Sequence, residues 1–355
     1  MELSLLKFDY EINLDKQRDL FIDCFPETAG DSIQGKEHYL WKFHSFPSNN
    51  HSWEFASTIE NELVGYYAAL PYKYKVGNKI TEAGMVCDVM TSSKFRGKGI
   101  FTKMGNYSTN ELSSVVPFTM GYPIRKEVIG GHLKVGWKIP FNMPLYIKFI
   151  RMNALLKTRK ISFIAPLANA LIFIYNYFVK TKLNKKYTFT ITTNICEVQG
   201  YDEFVKEWSS NISNTLIKDL SFARWRYSAP NRSYQFLSIK SIEGKMIAFI
   251  SFCKTVKVGV PSYGIIDYMV LPGFEDCHGK VNKILIDCAK SDKVEAILTM
   301  MSKTSVSKYK LLKNGFIRSP LLFHLIIKNL THEFTDEQLF NENNWHLMWV
   351  DSDVL

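Results

Sequence analysis

The stretch from Val86 to Lys103 reads VCDVMTSSKFRGKGIFTK and decides how this chain folds. The β-branched residues at its start predict a strand, and the residues from about Ile100 onward predict a helix. Between the two, Gly97 and Gly99 let the backbone curl so that several amide N–H groups point at one spot. The helix N-terminus and three basic side chains add positive charge there. The loop is therefore predicted to hold a pyrophosphate.

A Gly-x-Gly turn after a strand also occurs in dinucleotide-binding folds. Two features argue against that interpretation: residue 102 is Thr, so no third glycine completes the fingerprint, and the strand is not the first of the chain. Further along, Val115–Pro123 reads as a strand that leaves into a turn. A short helix follows and is predicted to end at Gly136, immediately before an aromatic residue.

The loop resembles the acyl-coenzyme A binding motif of the Gcn5-related N-acetyltransferase (GNAT) superfamily, Arg/Gln-x-x-Gly-x-Gly/Ala, with Lys94 in the first position. The order of strand, phosphate loop, helix, strand, short helix and Gly-aromatic step is also that of the superfamily. The resemblance implies that the cofactor strand offers backbone groups to the pantetheine arm and the thioester at Val89, Met90 and Thr91. It also implies that the pyrophosphate lies on the amides of Phe95, Arg96, Gly97, Lys98, Gly99, Ile100 and Phe101.

Composition limits the function classes. The chain has 355 residues, of which 46% are hydrophobic, enough for two packed domains. Its net charge of +10 comes from dispersed basic residues, apart from a cluster of Lys180, Lys182, Lys185 and Lys186, so small polyanions are favoured over nucleic acid. No signal peptide is predicted, and six cysteines without a Cys-x-x-Cys pair are typical of reduced thiols in a cytoplasmic protein. We assign no metal site.

The two halves of the sequence form a weak internal repeat. Asp88 and Asp267 lie in similar strands 179 residues apart, and Gly136 and Gly315 have the same separation. A Trp-basic-aromatic element occurs in each half, and its tryptophans are expected to be packing anchors. We therefore predict a mixed α/β fold of two tandem GNAT-like domains, each a twisted mixed sheet flanked by helices.

The predicted limits are 1–150 for an amino-terminal domain that binds acyl-coenzyme A, 151–190 for a helical linker, 191–330 for a degenerate second domain and 331–355 for a tail. The second domain has Glu275 and Asp276 where the first has its glycine loop, and these acids would repel a pyrophosphate. One coenzyme site per chain is therefore expected.

The linker contains an uncharged apolar run, Ile161–Val179, that is nearly long enough to span a membrane. Pro166 and two asparagines are poor choices for a bilayer. A helix buried between the two domains is favoured, and a helix lying at a membrane interface is the alternative.

The tandem form further resembles the double-domain N-acyltransferases of bacterial lipopolysaccharide, O-antigen and capsule pathways, in Trp41–Phe43, Phe95–Phe101 and Trp349–Asp353. This resemblance implies transfer of an acetyl or 3-hydroxybutyryl group from coenzyme A to a nucleotide-linked amino sugar, such as a dTDP-3-amino-3,6-dideoxyhexose. It implies small-molecule partners and no nucleic acid. The alternatives are an aminoacyl-tRNA-dependent transferase of the same fold and a non-catalytic membrane-associated scaffold.

Three residues are the candidates for proton transfer. Many superfamily members place a tyrosine four residues before the Gly of the Gly-aromatic step, as the acid for the leaving thiolate. Here that position is His132, whose imidazole can donate or accept a proton near neutral pH. Tyr122, at the end of the splayed strand, is the second candidate acid. Asp88 is a candidate base. The equivalent residue of the second half is also an aspartate, Asp267, which favours a buried structural role for Asp88. Glu82 is another candidate base.

Overall fold

The computed structural model describes residues 2–48, 51–179 and 186–353. The strands in this part of the chain are β1 (Ser4–Lys7), β2 (Trp53–Ile59), β3 (Glu62–Val76), β4 (Lys79–Thr91), β5 (Phe118–Gly121), β6 (Asn142–Phe149), β7 (Thr188–Thr192), β8 (Asn214–Leu216), β9 (Tyr234–Lys240), β10 (Met246–Lys257), β11 (Val260–Val270), β12 (Ala296–Met300), β13 (Ile317–His324), β14 (Ile326–Asn329) and β15 (Trp345–His346). The α-helices are α1 (Tyr10–Cys24), α2 (Lys36–His44), α3 (Ile100–Leu112), α4 (Lys126–Lys134), α5 (Asn153–Thr158), α6 (Ala165–Phe178), α7 (Tyr201–Ser210), α8 (Leu220–Arg226), α9 (His278–Ser291), α10 (Lys303–Lys308) and α11 (Asp336–Phe340).

The strands form two mixed sheets with the same plan. The first has the order β1-β2-β3-β4-β5-β14, and the second has the order β13-β6-β12-β11-β10-β9-β7. In each sheet a long antiparallel hairpin, β3–β4 or β10–β11, is followed by a parallel neighbour, β5 or β12. The predicted mixed α/β fold of two GNAT-like units is confirmed.

The two halves exchange strands. β6 pairs antiparallel with β12 and β13 in the second sheet, and β14 pairs antiparallel with β5 in the first. The β8–β15 pair extends the first sheet beyond β3. Sheet pairing therefore crosses the predicted limits at residues 150 and 330, because each half covers a strand edge that the other would leave open. The limits themselves stay a prediction.

The two halves make matching contacts where α2 meets α8. The rings of Trp41 and Trp225 stack at 5.2 Å between centroids with an angle of 10° between their planes. Each indole Nε1 donates to the other residue's backbone carbonyl, at 2.9 Å in both directions. The two tryptophans therefore join the halves, in agreement with the packing role expected for them.

One hydrophobic core runs through both halves. It contains Tyr74 and Phe118 of the first sheet together with Trp208 and Trp349 of the second half. Trp349 is completely buried, so the segment predicted as a tail enters the core up to Asp351. The last described residues therefore lie at the junction of the halves.

Helix α6 overturns one prediction. Pro166 lies in its first turn, as expected, but no residue of α6 is buried, so the prediction of a helix enclosed between two domains is wrong. The reason is that exchanged strands and the carboxyl-terminal segment already fill the junction.

None of the helices in the described ranges is long and apolar enough to cross a bilayer. Lys180, Lys182 and Lys185 of the basic cluster lie outside the described residues.

Candidate functional site

The loop before α3 has the backbone geometry that its glycines predict. Gly97 and Gly99 have φ angles of +79° and +76°, in the left-handed region that favours glycine. Added Cβ atoms at these positions would meet nothing within 4 Å, so the space over the loop is open. The N–H of Lys103 bonds back to Gly99 at 3.1 Å, which leaves the N–H groups just before it without intrahelical acceptors. These features fit an anion seat.

A bulge and a divergence of strands open the sheet beside this loop. Parallel pairing of β4 with β5 ends at Val86 and Gly121, after which the two strands separate. At Asp88 the register of β4 against β3 shifts, and Asp88 has a φ of +48°, unusual for a residue with a side chain. The separation exposes the edge of β4 from Val89 to Thr91, and the bulge turns Asp88 toward the interior.

A cavity of about 920 Å³, here called the loop cavity, runs along this edge. It brings together nine of the ten predicted cofactor residues: Val89, Met90, Thr91, Phe95, Arg96, Gly97, Gly99, Ile100 and Phe101. Lys98 does not line it, because its ammonium lies over the Phe95 ring at 4.8 Å. The cofactor assignments stay predictions, and this geometry agrees with them.

A second cavity of about 400 Å³, here called the inner cavity, adjoins the first. Val89 and Arg125 line both, so the two cavities form one cleft. All three candidate proton-transfer residues, His132, Tyr122 and Asp88, line the inner cavity. Glu82 is absent from the lining of both, so nothing supports it as a base.

A lysine joins two carboxylates on the wall of the inner cavity. The ammonium of Lys42 lies 2.9 Å from Asp88 Oδ1 and 2.8 Å from Asp353 Oδ2. Burial acts to lower the pKa of Lys42, but the two carboxylates raise it well above its usual value. Burial likewise acts to raise the pKa of Asp353, and the Lys42 ammonium outweighs it, so this pKa is lowered. Lys42 and Asp353 are therefore both charged at neutral pH.

His132 lies on α4, packed edge-on against two aromatic rings. Its ring centroid is 5.1 Å from that of Phe101 and 5.4 Å from that of Trp137. Burial lowers the pKa of His132 to about 4, so the imidazole is neutral at pH 7. A neutral imidazole cannot readily supply a proton to a thiolate, so this low pKa argues against the acid role; the ring can still accept a hydrogen bond or a proton.

Tyr122 lies at the end of β5 with its hydroxyl buried and without a hydrogen-bond partner among the described residues. Burial raises its pKa well above the usual value. A phenol of this kind stays protonated and can donate a hydrogen bond into the cavity, but it is a weak acid for full proton transfer.

The second half supplies a cationic wall to the inner cavity. Arg226, Arg232 and Lys257 line the inner cavity from α8, the following loop and β10. Arg226 is held by Tyr234 at 3.3 Å and by the Ser352 carbonyl at 3.4 Å. The inner cavity therefore contains carboxylates and cations close together, with Arg226 beside Asp353 and Arg232 3.9 Å from Asp31.

The counterpart of the loop in the second half is occupied by the chain's own acids. The Gly273 N–H donates to the carboxylate of Glu275 at 3.1 Å, and the Tyr187 hydroxyl donates to Asp276 at 2.5 Å. These carboxylates satisfy donors that an anion would otherwise use. This arrangement agrees with the expectation of one coenzyme site per chain.

Sequence reasoning did not assign a role to Lys42, Asp353 or the cationic wall. A weak signal was present, because Trp41–Phe43 and Trp349–Asp353 were two of the three segments that carried the resemblance to nucleotide-sugar acyltransferases. Nothing in the sequence indicates that residues 311 positions apart share an ion pair.

Buried neutral histidines make the fold sensitive to acid. Burial lowers the pKa of four of them: His38 to about 3, His132 and His278 to about 4, and His346 well below its usual value. As the pH falls below 6.5, the unfolded chain binds protons that the folded chain does not, so the free energy of unfolding decreases until about pH 4. Each imidazole whose pKa is lowered to 4 accounts for up to about 3 kcal/mol of this decrease. Burial raises the pKa of Asp267 and of Asp351, so these two residues increase the free energy of unfolding as the pH falls. They are outnumbered by the four histidines.

We therefore expect the melting temperature to fall between pH 6.5 and 4.5, measured by circular dichroism in buffers of constant ionic strength. His278→Gln should flatten this dependence, whereas substitution of the exposed His332 by Gln should leave it unchanged. A melting temperature that is constant over this range would contradict the prediction.

Comparison with known proteins agrees with the fold. Residues 11–139 match the model of a family described as an acetyltransferase (GNAT) domain. Among solved structures, a protein of Enterococcus faecalis V583 described as a probable N-acyltransferase has a TM-score of 0.65 and 11% identity, over 93% of this chain and 73% of that one. A GCN5-related N-acetyltransferase of Anabaena variabilis ATCC 29413 has a TM-score of 0.66 and 12% identity, over 93% and 73%.

The N-myristoyltransferase of Saccharomyces cerevisiae, solved with bound myristoyl-CoA, has a TM-score of 0.61 and 12% identity, over 92% of this chain and 79% of that one. No curated protein sequence matches the chain. The family match shows a GNAT acetyltransferase domain at residues 11–139, which makes this chain an acyl-coenzyme A-dependent acyltransferase.

Proposed function

We propose that this enzyme transfers an acetyl or 3-hydroxybutyryl group from acyl-coenzyme A to the amine of a nucleotide-linked amino sugar. The observation that carries the proposal is that the inner cavity contains both carboxylates and cations. An amine suits the carboxylates of Asp88 and Asp353, and a diphosphate suits Arg226, Arg232 and Lys257, which line the same cavity. Amino sugars linked to a nucleoside diphosphate have both groups in one molecule.

The loop cavity suits the coenzyme. The outward N–H groups at the start of α3 and the two left-handed glycines would bind the pyrophosphate. The exposed edge of β4 would pair with the pantetheine arm, as a strand edge pairs with an extended ligand. The N-myristoyltransferase of the same fold was solved with a coenzyme A thioester, which supports this donor class.

The inner cavity suits the attack of an amine. The two carboxylates can accept hydrogen bonds from the amino group and hold it in the cavity. The amine nitrogen then bonds to the thioester carbon, and the C–S bond breaks to release the coenzyme A thiolate. Neutral His132 takes the proton that the nitrogen loses, and the thiolate takes a proton from water.

A thiol-release assay tests the proposal. Acetyl-, 3-hydroxybutyryl- and myristoyl-coenzyme A are each combined with a panel of dTDP-linked amino sugars, the free amino sugars, amino acids and amine-free dTDP-sugars. We expect short acyl donors and nucleotide-linked amines to give turnover, and removal of the nucleotide to raise KM strongly. Equal activity with free amino sugars, or activity only with the myristoyl donor, would refute the proposal.

His132→Ala is expected to lower the turnover number by about 100-fold or more, since loss of a general base typically costs that much. Coenzyme A affinity should change little, because the ring lines the inner cavity and not the loop cavity. Turnover is measured by thiol release and affinity by titration calorimetry. The matched control is His278→Ala, which removes a similarly buried histidine in the second half. Retention of more than about a third of wild-type turnover would remove His132 from the mechanism.

A further inference from the structure

Helix α6 presents its large apolar side chains to solvent. Leu167 is 65% exposed, Phe173 is 72% exposed and Phe178 is 79% exposed. Leu171 and Ile174 lie on the same side as Leu167 and Phe178, spaced at three to four residues along the helix, and Phe173 lies on the flank of this side. A continuous exposed apolar face of this kind is typical of a surface that binds another protein or a membrane.

The polar residues of α6 face the protein instead. Asn169 accepts from the Met152 N–H at 2.9 Å and donates to Asn153 at 2.8 Å. Asn176, seven residues further and so on the same side, donates to the Phe149 carbonyl at 3.1 Å. This arrangement is the reverse of an ordinary surface helix, whose apolar stripe faces the core. The asparagines thus fix α6 to the body with its apolar face outward.

The apolar surface continues past the helix. Phe163, just before α6, is 83% exposed. Gly315 of the second half lies close to Tyr175 and Val179, and Leu312 and Ile317, three and two residues from it in the sequence, are exposed. The patch is therefore wider than one helix.

The charge of the surrounding sequence is one-sided. Residues 128–196 contain eleven Lys and Arg and no Asp or Glu, so this segment accounts for the whole net charge of +10. Arg151, Lys157, Arg159 and Lys160 of this set flank α5 and α6 in the described chain. Apolar residues next to unbalanced positive charge are typical of helices that bind acidic membrane surfaces.

We propose that α6 docks this protein onto the surface of a membrane that contains acidic phospholipids. With 14 residues, α6 is about 21 Å long at 1.5 Å per residue, shorter than the roughly 30 Å hydrocarbon core, so it lies in the plane of the interface. The apolar face enters the headgroup boundary, and the basic residues pair with lipid phosphates. An apolar protein partner would account for the exposed side chains but not for the unbalanced charge.

Sedimentation with vesicles tests this inference, using the full chain at low and high salt. The vesicles are phosphatidylcholine alone and phosphatidylcholine mixed with phosphatidylglycerol. The test variant combines Leu167→Ser, Phe173→Ser and Phe178→Ser. The matched control combines Ile12→Ser, Ile80→Ser and Ile242→Ser, which replace exposed apolar residues elsewhere. Circular dichroism and thiol release check that both variants fold.

We expect the wild-type protein and the matched control to bind the mixed vesicles, less so at high salt, and the α6 variant to bind at least tenfold more weakly. Equal binding by the α6 variant would overturn the inference, as would a wild-type protein that stays in solution with acidic vesicles. A dimer in light scattering that the α6 variant loses, without vesicle binding, would assign the face to a second copy of the chain instead.

Discussion

Gly97→Glu is expected to abolish coenzyme A binding, lowering affinity by about 100-fold or more. The Gly97 backbone has a φ of +79° and the space above it is open, so a side chain there would extend into the anion seat. Its carboxylate would repel the pyrophosphate and strain the left-handed backbone as well. Titration calorimetry with coenzyme A should show one site per wild-type chain and no measurable heat for the variant.

Gly244→Glu is the matched control for this loop variant. Gly244 has a φ of +82° and nothing within 4 Å of an added Cβ, so it imposes the same backbone strain and charge in the β9–β10 turn. Coenzyme A affinity should stay close to wild type in this control. Tight binding by Gly97→Glu, or two equivalent sites in the wild-type chain, would show that the coenzyme lies elsewhere.

Asp353→Asn is expected to lower kcat/KM for the amine acceptor by about 100-fold, the typical loss for one charge-assisted hydrogen bond. The substitution keeps the size of the side chain and removes the charge that holds Lys42 at 2.8 Å. Coenzyme A affinity should be unaffected, because Asp353 does not line the loop cavity. Steady-state thiol release with varied acceptor measures the effect.

Asp351→Asn separates catalysis from stability. Asp351 lies two residues earlier in the same segment, is fully buried and is 3.7 Å from Lys218, outside the lining of the inner cavity. We expect this control to lower the melting temperature without changing kcat/KM of the folded enzyme. If both variants lose activity in proportion to their loss of stability, Asp353 has no role in the reaction.

The loop and its helix were predictable because their cause is local. Gly97, Gly99 and the helix start at Ile100 follow from backbone preferences over a few residues, and α3 begins at that residue. The internal repeat predicted the two similar sheets for a related reason, since equal patterns fold alike. His132, Tyr122 and Asp88 were also found as a group, because each follows from its place relative to the predicted strand ends.

What the sequence alone determined about this protein is the conformation of the Gly97–Gly99 loop, the duplicated α/β plan and the candidate residues near β4. Only the tertiary structure decided which groups meet across the junction. Lys42 joins Asp88 and Asp353, 46 and 311 residues away, and the cationic wall comes from the other half. It also decided that α6 faces outward, because hydropathy measures how apolar a segment is and not which side packs. Contacts between distant segments form only when both sheets assemble, so they cannot be predicted from the backbone preferences of a few neighbouring residues.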